Sequence, residues 1–188
     1  MVDSPELQQS KDAVRRQLRA LRRGLSADLK SAEQASVCRL LSLRVAAEKP
    51  LAVASYAALP EELSVDAWHA QWWAAGHPVW LPRVQGPGVM SWHPVTDPNQ
   101  LAAGAYGIRE PRPDIVPAQP LPPRSMLVVP GVGFTAEGWR LGQGGGFYDR
   151  LLATHDGSTI GIAFACQRVA ELPYGPDDCR VNEVIFSG

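Results

Sequence analysis

The chain has 188 residues, 45% of them apolar, and a formal charge of −1; at roughly 100–200 residues per domain this is one domain, long enough to bury its own core. The near-neutral charge argues against a protein dominated by nucleic-acid or membrane-surface electrostatics, and 17 glycines with 17 prolines fall below the low-complexity range. Three cysteines, Cys38, Cys166 and Cys179, without CxxC spacing argue for a reducing compartment rather than a disulfide framework.

The start, Met1 to Glu6, is acidic and has no apolar core, so neither a secretory signal nor a convincing transit peptide is expected there. No run of 18 apolar residues occurs, which excludes a transmembrane helix. A cytoplasmic location is expected. Val14, Leu18, Leu21 and Leu25 form one stripe of a first helix. Ser26 is placed to cap a second helix that runs to Ala46. Leu51–Tyr56 reads as a buried strand, and Ser64 as the cap of a third helix, Val65–Ala75, stopped by Gly76. Pro78–Val84 and Val89–His93 read as strands. Six prolines between 111 and 123 predict a long surface loop. Met126–Val129 is a buried strand, followed by a glycine-rich loop and a helix at Phe147–His155. Thr159–Ala165 and Val181–Phe186 complete the strands. Strands alternating with helices, several of them apolar throughout, predict an α/β layered fold with a mostly parallel sheet. Ligands in such folds sit at the carboxyl ends of strands, which directs attention to the loop after Met126–Val129.

That loop, Arg140-Leu141-Gly142-Gln143-Gly144-Gly145-Gly146-Phe147-Tyr148-Asp149-Arg150, has four glycines in five positions. Backbone amides there can approach a ligand together, and a helix start beyond them adds a positive dipole end; both suit phosphate. Arg140 and Arg150 flank the loop with fixed charge. Glycine also serves plain turns, but the flanking arginines and the Tyr-Asp tip favour an anion site. There is no GxxxxGK[ST] loop. Gly131-Val132-Gly133-Phe134-Thr135-Ala136 fits a dinucleotide-binding pattern, yet Gly138 and the next glycine run oppose a helix starting at 133.

Residues 11–30 carry Lys11, Arg15, Arg16, Arg19, Arg22, Arg23 and Lys30 against Asp12 and Asp28, a local charge of +5 on a remainder of −6. Lys11, Arg15, Arg19 and Arg22 fall within about 80° on a helix, beside the apolar stripe, so part of this face can reach an internal cleft. A solvated helix surface is the plain alternative, and an RNA-binding helix another. Asp149 and Asp178 are isolated acids; the first fits a helix N-terminus and the second a Gly175-Pro176-Asp177 turn, while carboxylates beside phosphates are also how Mg²⁺ is held. His69, His77, His93 and His155 have no metal spacing. Trp68 and Trp72 fit a core helix face, and Cys166 reads as inert packing.

The order Gly131-x-x-Phe134-x-x-x-Gly138-x-Arg140-Leu141-Gly142-x-Gly144-x-Gly146-x-Tyr148-Asp149 resembles the signature of the 5-formyltetrahydrofolate cyclo-ligase family. Lys11-x-x-Val14-Arg15 with Leu25-Ser26, Tyr56-Ala57-Ala58-Leu59-x-x-Glu62, Leu81-Pro82-Arg83-Val84, Gly107-Ile108-x-Glu110-Pro111 and Asp178-x-x-Val181-x-Glu183-Val184 resemble further family segments in order, from Lys11 to Phe186. The resemblance implies one α/β/α domain over 1–188, of the three-layer type shared with sugar-phosphate isomerases and CoA transferases. It implies cyclisation of 5-formyltetrahydrofolate to 5,10-methenyltetrahydrofolate with ATP as cosubstrate and Mg²⁺ as cofactor. By the resemblance, Lys11 and Arg15 reach the ATP phosphates, and Arg140, Leu141, Gly142, Gln143, Gly144, Gly145, Gly146, Phe147 and Tyr148 form the nucleotide loop. Lys11, Arg140 and Tyr148 are then the catalytic candidates, Tyr56, Ala57 and Glu62 the folate contacts, and Asp149 and Asp178 the metal ligands. A monomer is expected, with no nucleic acid or membrane partner. The chain departs from the family pattern at Thr135, Gly145, Phe147 and Asn182; many members carry Lys or Arg at the position of Gly145. A nucleotide- or RNA-binding module without catalysis, and a sugar-phosphate or CoA-type enzyme on the same fold, are the competing readings.

Overall fold

The computed structural model describes residues 3–104 and 107–187. Helix α1 spans Pro5–Arg23; Ser4 Oγ accepts from Leu7 N–H, and Pro5 stands in the first turn, where no N–H is needed. Helix α2, Ala27–Glu48, begins as expected at Ser26, whose Oγ accepts from Leu29 N–H at 3.2 Å. Strand β1 is only Val53–Ala54, and α3 covers Asp66–Ala74. Strands β2 (Val79–Gly86) and β3 (Val89–Val95) form an antiparallel hairpin. Short strands β4 (Leu101–Ala103) and β5 (Arg109–Pro111) pair with each other. Then come β6 (Met126–Val129), β7 (Gly133–Phe134), β8 (Arg140–Leu141), α4 (Phe147–Leu152), β9 (Thr159–Ala163) and β10 (Glu183–Phe186).

The main sheet has the order β10-β9-β6-β1-β2-β3 and is parallel except for the β2–β3 pair. Side chains alternate across it. Val53, Met126, Val128, Ile160 and Ile162 pack with Val37, Leu41 and Val45 of α2 and Trp68 of α3. Ala54, Leu127, Val129 and Ala163 point the other way, to Phe134 of β7 and to Tyr148, Leu151 and Leu152 of α4. Both faces are therefore covered, which is why these strands are apolar throughout. Each large apolar side chain so buried contributes roughly 1.5–3 kcal/mol. Gly161 lets the β7–β8 ribbon sit close on β9, since a Cβ there would lie 2.5 Å from the Phe134 ring.

The segment Gly131–Ala136 is not a strand-to-helix turn, in line with the objection raised by Gly138: Gly133–Phe134 is a strand paired with Arg140–Leu141, so the dinucleotide-binding pattern has no helix to serve. Two expectations change. The proline-rich segment begins inside β5, and Gln119 bridges back to Trp92 of β3. Helix α1 buries Lys11, Arg15, Leu18 and Arg22, while Leu21 is 48% exposed. The face turned inward is the basic one, because α1 lies over loops at the end of the sheet; Leu18 reaches the ribbon beside Gly133.

Chain order reverses between β1 and β6: the chain moves from β1 to β2 and β3 on one side, and from β6 to β9 and β10 on the other. A crevice outside the strand ends forms at such a switch. It is bordered by the segment after β1, which holds Tyr56, Ala57 and Glu62, and by the ribbon and glycine loop that follow β6.

Candidate active site

Gly142–Gly146 runs between β8 and α4. Gly144 has φ +104° and Gly146 φ +64°, conformations that side-chain-bearing residues rarely hold. At Gly142 the need is room instead: a Cβ would lie 2.5 Å from Arg140 Nη1. Among the described residues, the N–H groups of Gln143, Gly144, Gly145 and Gly146 donate to no protein acceptor. Their carbonyls and side chains are held instead. Arg15 Nε donates to Gly142 O at 2.8 Å, Arg19 Nη2 to Gln143 Oε1 at 2.5 Å, and Arg150 Nη2 to Gly145 O at 2.8 Å. Arg150 Nε also donates to Gly88 O, in the β2–β3 turn. Arg150 thus brings a guanidinium to Gly145. Helix α4 has six residues, so its dipole adds little, and the positive field at the loop comes from arginines.

Two cations near the loop make three ion pairs. Buried Arg140 donates from Nη2 to Asp149 Oδ1 at 2.8 Å, and its Nε has no partner. Its guanidinium carbon lies 5.7 Å from the Tyr148 ring centre. Lys11 Nζ is 2.5 Å from Asp178 Oδ2 and 2.6 Å from Asp3 Oδ2. Burial works against the Lys11 charge, but bonds to Asp178 and Asp3 outweigh it and raise the ammonium above its ordinary value. The Tyr148 phenol is pushed well above its usual range by burial and then by Glu62, with Arg140 opposing, so it stays a protonated donor.

On the opposite wall, Glu62 accepts from Gln143 Nε2 at 2.9 Å through Oε1 and from Leu59 N–H at 3.1 Å through Oε2. Gln143 therefore links Arg19 to Glu62. Tyr56 and Ala57 are buried, and the Tyr56 hydroxyl donates to Leu63 O at 2.5 Å. Tyr56 thus offers a ligand its ring edge and backbone, not its hydroxyl. Leu141 is inside the ribbon, where its carbonyl accepts from Val132 N–H at 2.7 Å; its side chain packs in the core.

The expected metal ligands keep one carboxylate oxygen each without a hydrogen bond among the described residues, Asp149 Oδ2 and Asp178 Oδ1. No group of three or more His, Cys, Asp or Glu side chains forms a closed cage among the described residues. Two carboxylates with a free oxygen each and no cage have the hard-oxygen chemistry that suits Mg²⁺, a cation that takes few protein ligands and keeps several waters.

Asp3 and Gln167 carry no sequence signal, yet they contact residues of the candidate site. Asp3 shares Lys11 with Asp178. Gln167, 1% exposed, donates from Nε2 to the carbonyls of Gly131 and Val132 at 2.8 and 2.9 Å, fixing the turn that launches the ribbon. Asn182 accepts from Thr159 N–H and Oγ1 at 2.8 Å, so its departure from the family pattern locks β10 beside β9 and leaves the site untouched.

Sheet topology and site together define an α/β protein with a glycine-rich loop, backed by arginines, at its switch point. The sequence profile of the 5-formyltetrahydrofolate cyclo-ligase family matches residues 7–187. A 5-formyltetrahydrofolate cyclo-ligase of Haemophilus influenzae is 29% identical over 88% of this chain and 91% of its own length. The Escherichia coli protein of that name is 32% identical over 71% of this chain and 76% of its own. The solution structure of Aquifex aeolicus 5,10-methenyltetrahydrofolate synthetase superposes with a TM-score of 0.77 at 29% identity, covering 94% of this chain and 89% of that one. The chain belongs to the 5-formyltetrahydrofolate cyclo-ligase family.

Proposed function

We propose that the protein converts 5-formyltetrahydrofolate and ATP to 5,10-methenyltetrahydrofolate, ADP and phosphate, on a domain of the sugar-phosphate isomerase and CoA transferase type. The observation that carries this reading is the convergence of Lys11, Arg15, Arg140 and the undonated loop amides at the β1/β6 switch, in a chain of this family.

The N5-formyl group is an amide, a weak electrophile whose oxygen leaves poorly. Attack of that oxygen on the γ-phosphorus, with ADP departing, makes it a phosphate ester of an imidate. N10 then forms a bond to the formyl carbon, the C–O bond breaks, phosphate leaves with the former formyl oxygen, and the N10 proton is released. Phosphoryl transfer requires alignment and neutralised charge rather than a protein nucleophile. Lys11 and Arg15 take the phosphates, the amides of Gln143–Gly146 hold the oxygens, and Arg140 faces the charge that develops in transfer. Lys11 and Arg140 give up part of their hold on Asp178 and Asp149 as phosphate oxygens arrive. Tyr148, kept protonated by burial, donates to the migrating oxygen. Glu62 accepts from an N–H of the folate, and Tyr56 and Ala57 form the adjoining wall. Asp149 and Asp178 would hold Mg²⁺, which supplies charge neutralisation at the phosphates.

A nucleic-acid reading finds less support: Lys11, Arg15 and Arg22 are covered by the chain's own loops and form no exposed stripe. The test is purified protein with 5-formyltetrahydrofolate and MgATP, followed by methenyltetrahydrofolate absorbance. Product that disappears without ATP, with EDTA or with Asp149→Ala upholds the reading. Product formed without ATP ends it.

A further inference from the structure

At the far end of α1 from Lys11 lies a cavity of about 460 Å³, where Arg19, Arg22 and Arg23 face Leu59, Pro60, Glu61 and Gln143. Arg22 is 3% exposed, and its Nε and Nη1 have no hydrogen-bond partner. A buried guanidinium with unused donors is costly, and such a group is normally matched by an anion. The nearest carboxylate stands off: Glu61 Oε2 is 3.8 Å from Arg22 Nη2 and 3.9 Å from Arg23 Nη1, with its side chain 45% exposed. Both distances exceed a hydrogen bond. Glu62 and Glu61 therefore balance the charge without satisfying the donors.

We propose that this cavity is a subsite for the carboxylates of the substrate's glutamyl tail. The proposal rests on the folate reading given above. Three arginines present more donors than Glu61 and Gln143 use, and guanidinium groups match carboxylates in a planar fork. Leu59 and Pro60 offer an apolar wall to the aminobenzoyl ring. The spacing fits as well. Arg15 holds the glycine loop where the formyl group must meet the γ-phosphate, and Arg22 is seven residues further along the helix, about 10 Å. That is the scale of one aminobenzoyl ring and one glutamyl unit. Gln143 belongs to both places, since it is part of the loop and lines the cavity. A tail carboxylate displaces the Glu61 side chain outward and takes the bonds it leaves unmade. Arg22 and Arg23 are thus specificity-determining residues for the folate, remote from the phosphates.

The experiment compares 5-formyltetrahydrofolate with 5-formyltetrahydropteroate, which lacks the glutamate, at saturating MgATP. In the unaltered protein, removal of the glutamate raises KM about tenfold. Arg23→Ala, at an exposed position that leaves the fold intact, and Arg22→Met bring the two KM values within about twofold of each other. Glu61→Ala lowers KM for the glutamylated substrate only. Equal KM values in the unaltered protein, or a ratio that survives both arginine substitutions, overturns the proposal. If neither folate is turned over, equilibrium binding of p-aminobenzoyl-diglutamate separates the two readings. Binding that is lost in Arg23→Ala keeps the subsite while the reaction reading falls, and no binding ends the subsite too.

Discussion

Arg15 is the point where α1 and the glycine loop meet, and its substitution isolates what loop placement contributes. Its Nε donates to Gly142 O at 2.8 Å, and Nη1 donates to Asp12 at 2.7 Å. The guanidinium also backs Gly144, whose Cβ, if present, would be 3.8 Å from it. Lysine keeps the charge and loses the fork that serves both partners. A hydrogen bond from a charged donor contributes about 1.5–3 kcal/mol, and about 1.4 kcal/mol is a tenfold change in affinity. Arg15→Lys is therefore expected to raise KM for ATP about tenfold, and Arg15→Met, which also removes the charge, about a hundredfold. KM for 5-formyltetrahydrofolate stays within about twofold of its starting value, because the bonds lost lie on the loop's phosphate side. Initial rates from methenyltetrahydrofolate absorbance, with each substrate varied in turn, give both constants. Urea unfolding shows that the loss is not one of folding. An unchanged KM for ATP in both variants, or a parallel rise for both substrates, refutes the assignment.

Asp149→Asn should raise the Mg²⁺ concentration for half-maximal rate at least about tenfold, since a charge-assisted bond is lost; an unshifted metal titration removes Asp149 from the metal site. Glu62→Gln should raise KM for the folate about tenfold and leave that for ATP in place; an equal rise in both counts against Glu62 as a substrate contact. His69 is buried, with Nε2 2.9 Å from Ser55 Oγ, and burial lowers its pKa to about 4. Below the unfolded value the unfolded chain binds the extra proton, so stability is full above about pH 6.5 and falls as pH drops toward the folded value. The loss between pH 7.5 and pH 4.5 comes to about 2.5 kcal/mol. Urea unfolding at those two pH values should show it, and a His69→Gln variant should flatten the slope; the same slope in both proteins would assign it elsewhere.

The sheet was legible because its strands are buried on both faces, so that runs such as Met126–Val129 and Thr159–Ala163 are continuous apolar segments. The start of α2 was legible because Ser26 caps it, whereas α3 begins one residue later than expected, with Val65 and not Ser64 at its N-cap; Ser64 Oγ still accepts from Asp66 N–H. The orientation of α1 was only half legible. Leucine periodicity chose an apolar face, but the helix covers polar loop backbone, so a buried face of Lys11, Arg15 and Arg22 was the stable one. The β7–β8 ribbon has two residues per strand, too few for a period to show. In the site, the glycine cluster and basic row announce themselves by composition. The partners that fix them, Asp3 on Lys11 and Gln167 under the ribbon, lie far away in sequence and follow no local pattern.

The proline-rich segment has a role at the rim of the sheet. Strand β3 is an outer strand with β2 on one side only. Gln119 N–H donates to Trp92 O at 2.9 Å, and His93 Nδ1 lies 2.7 Å from Val116 O. The stretch thus occupies part of the rim, and its prolines have no N–H to offer in turn. A free rim invites a neighbouring chain to add a strand and begin aggregation. Here the added segment ends the ladder itself: it takes the place an intruding strand would need and presents a next layer that cannot be extended.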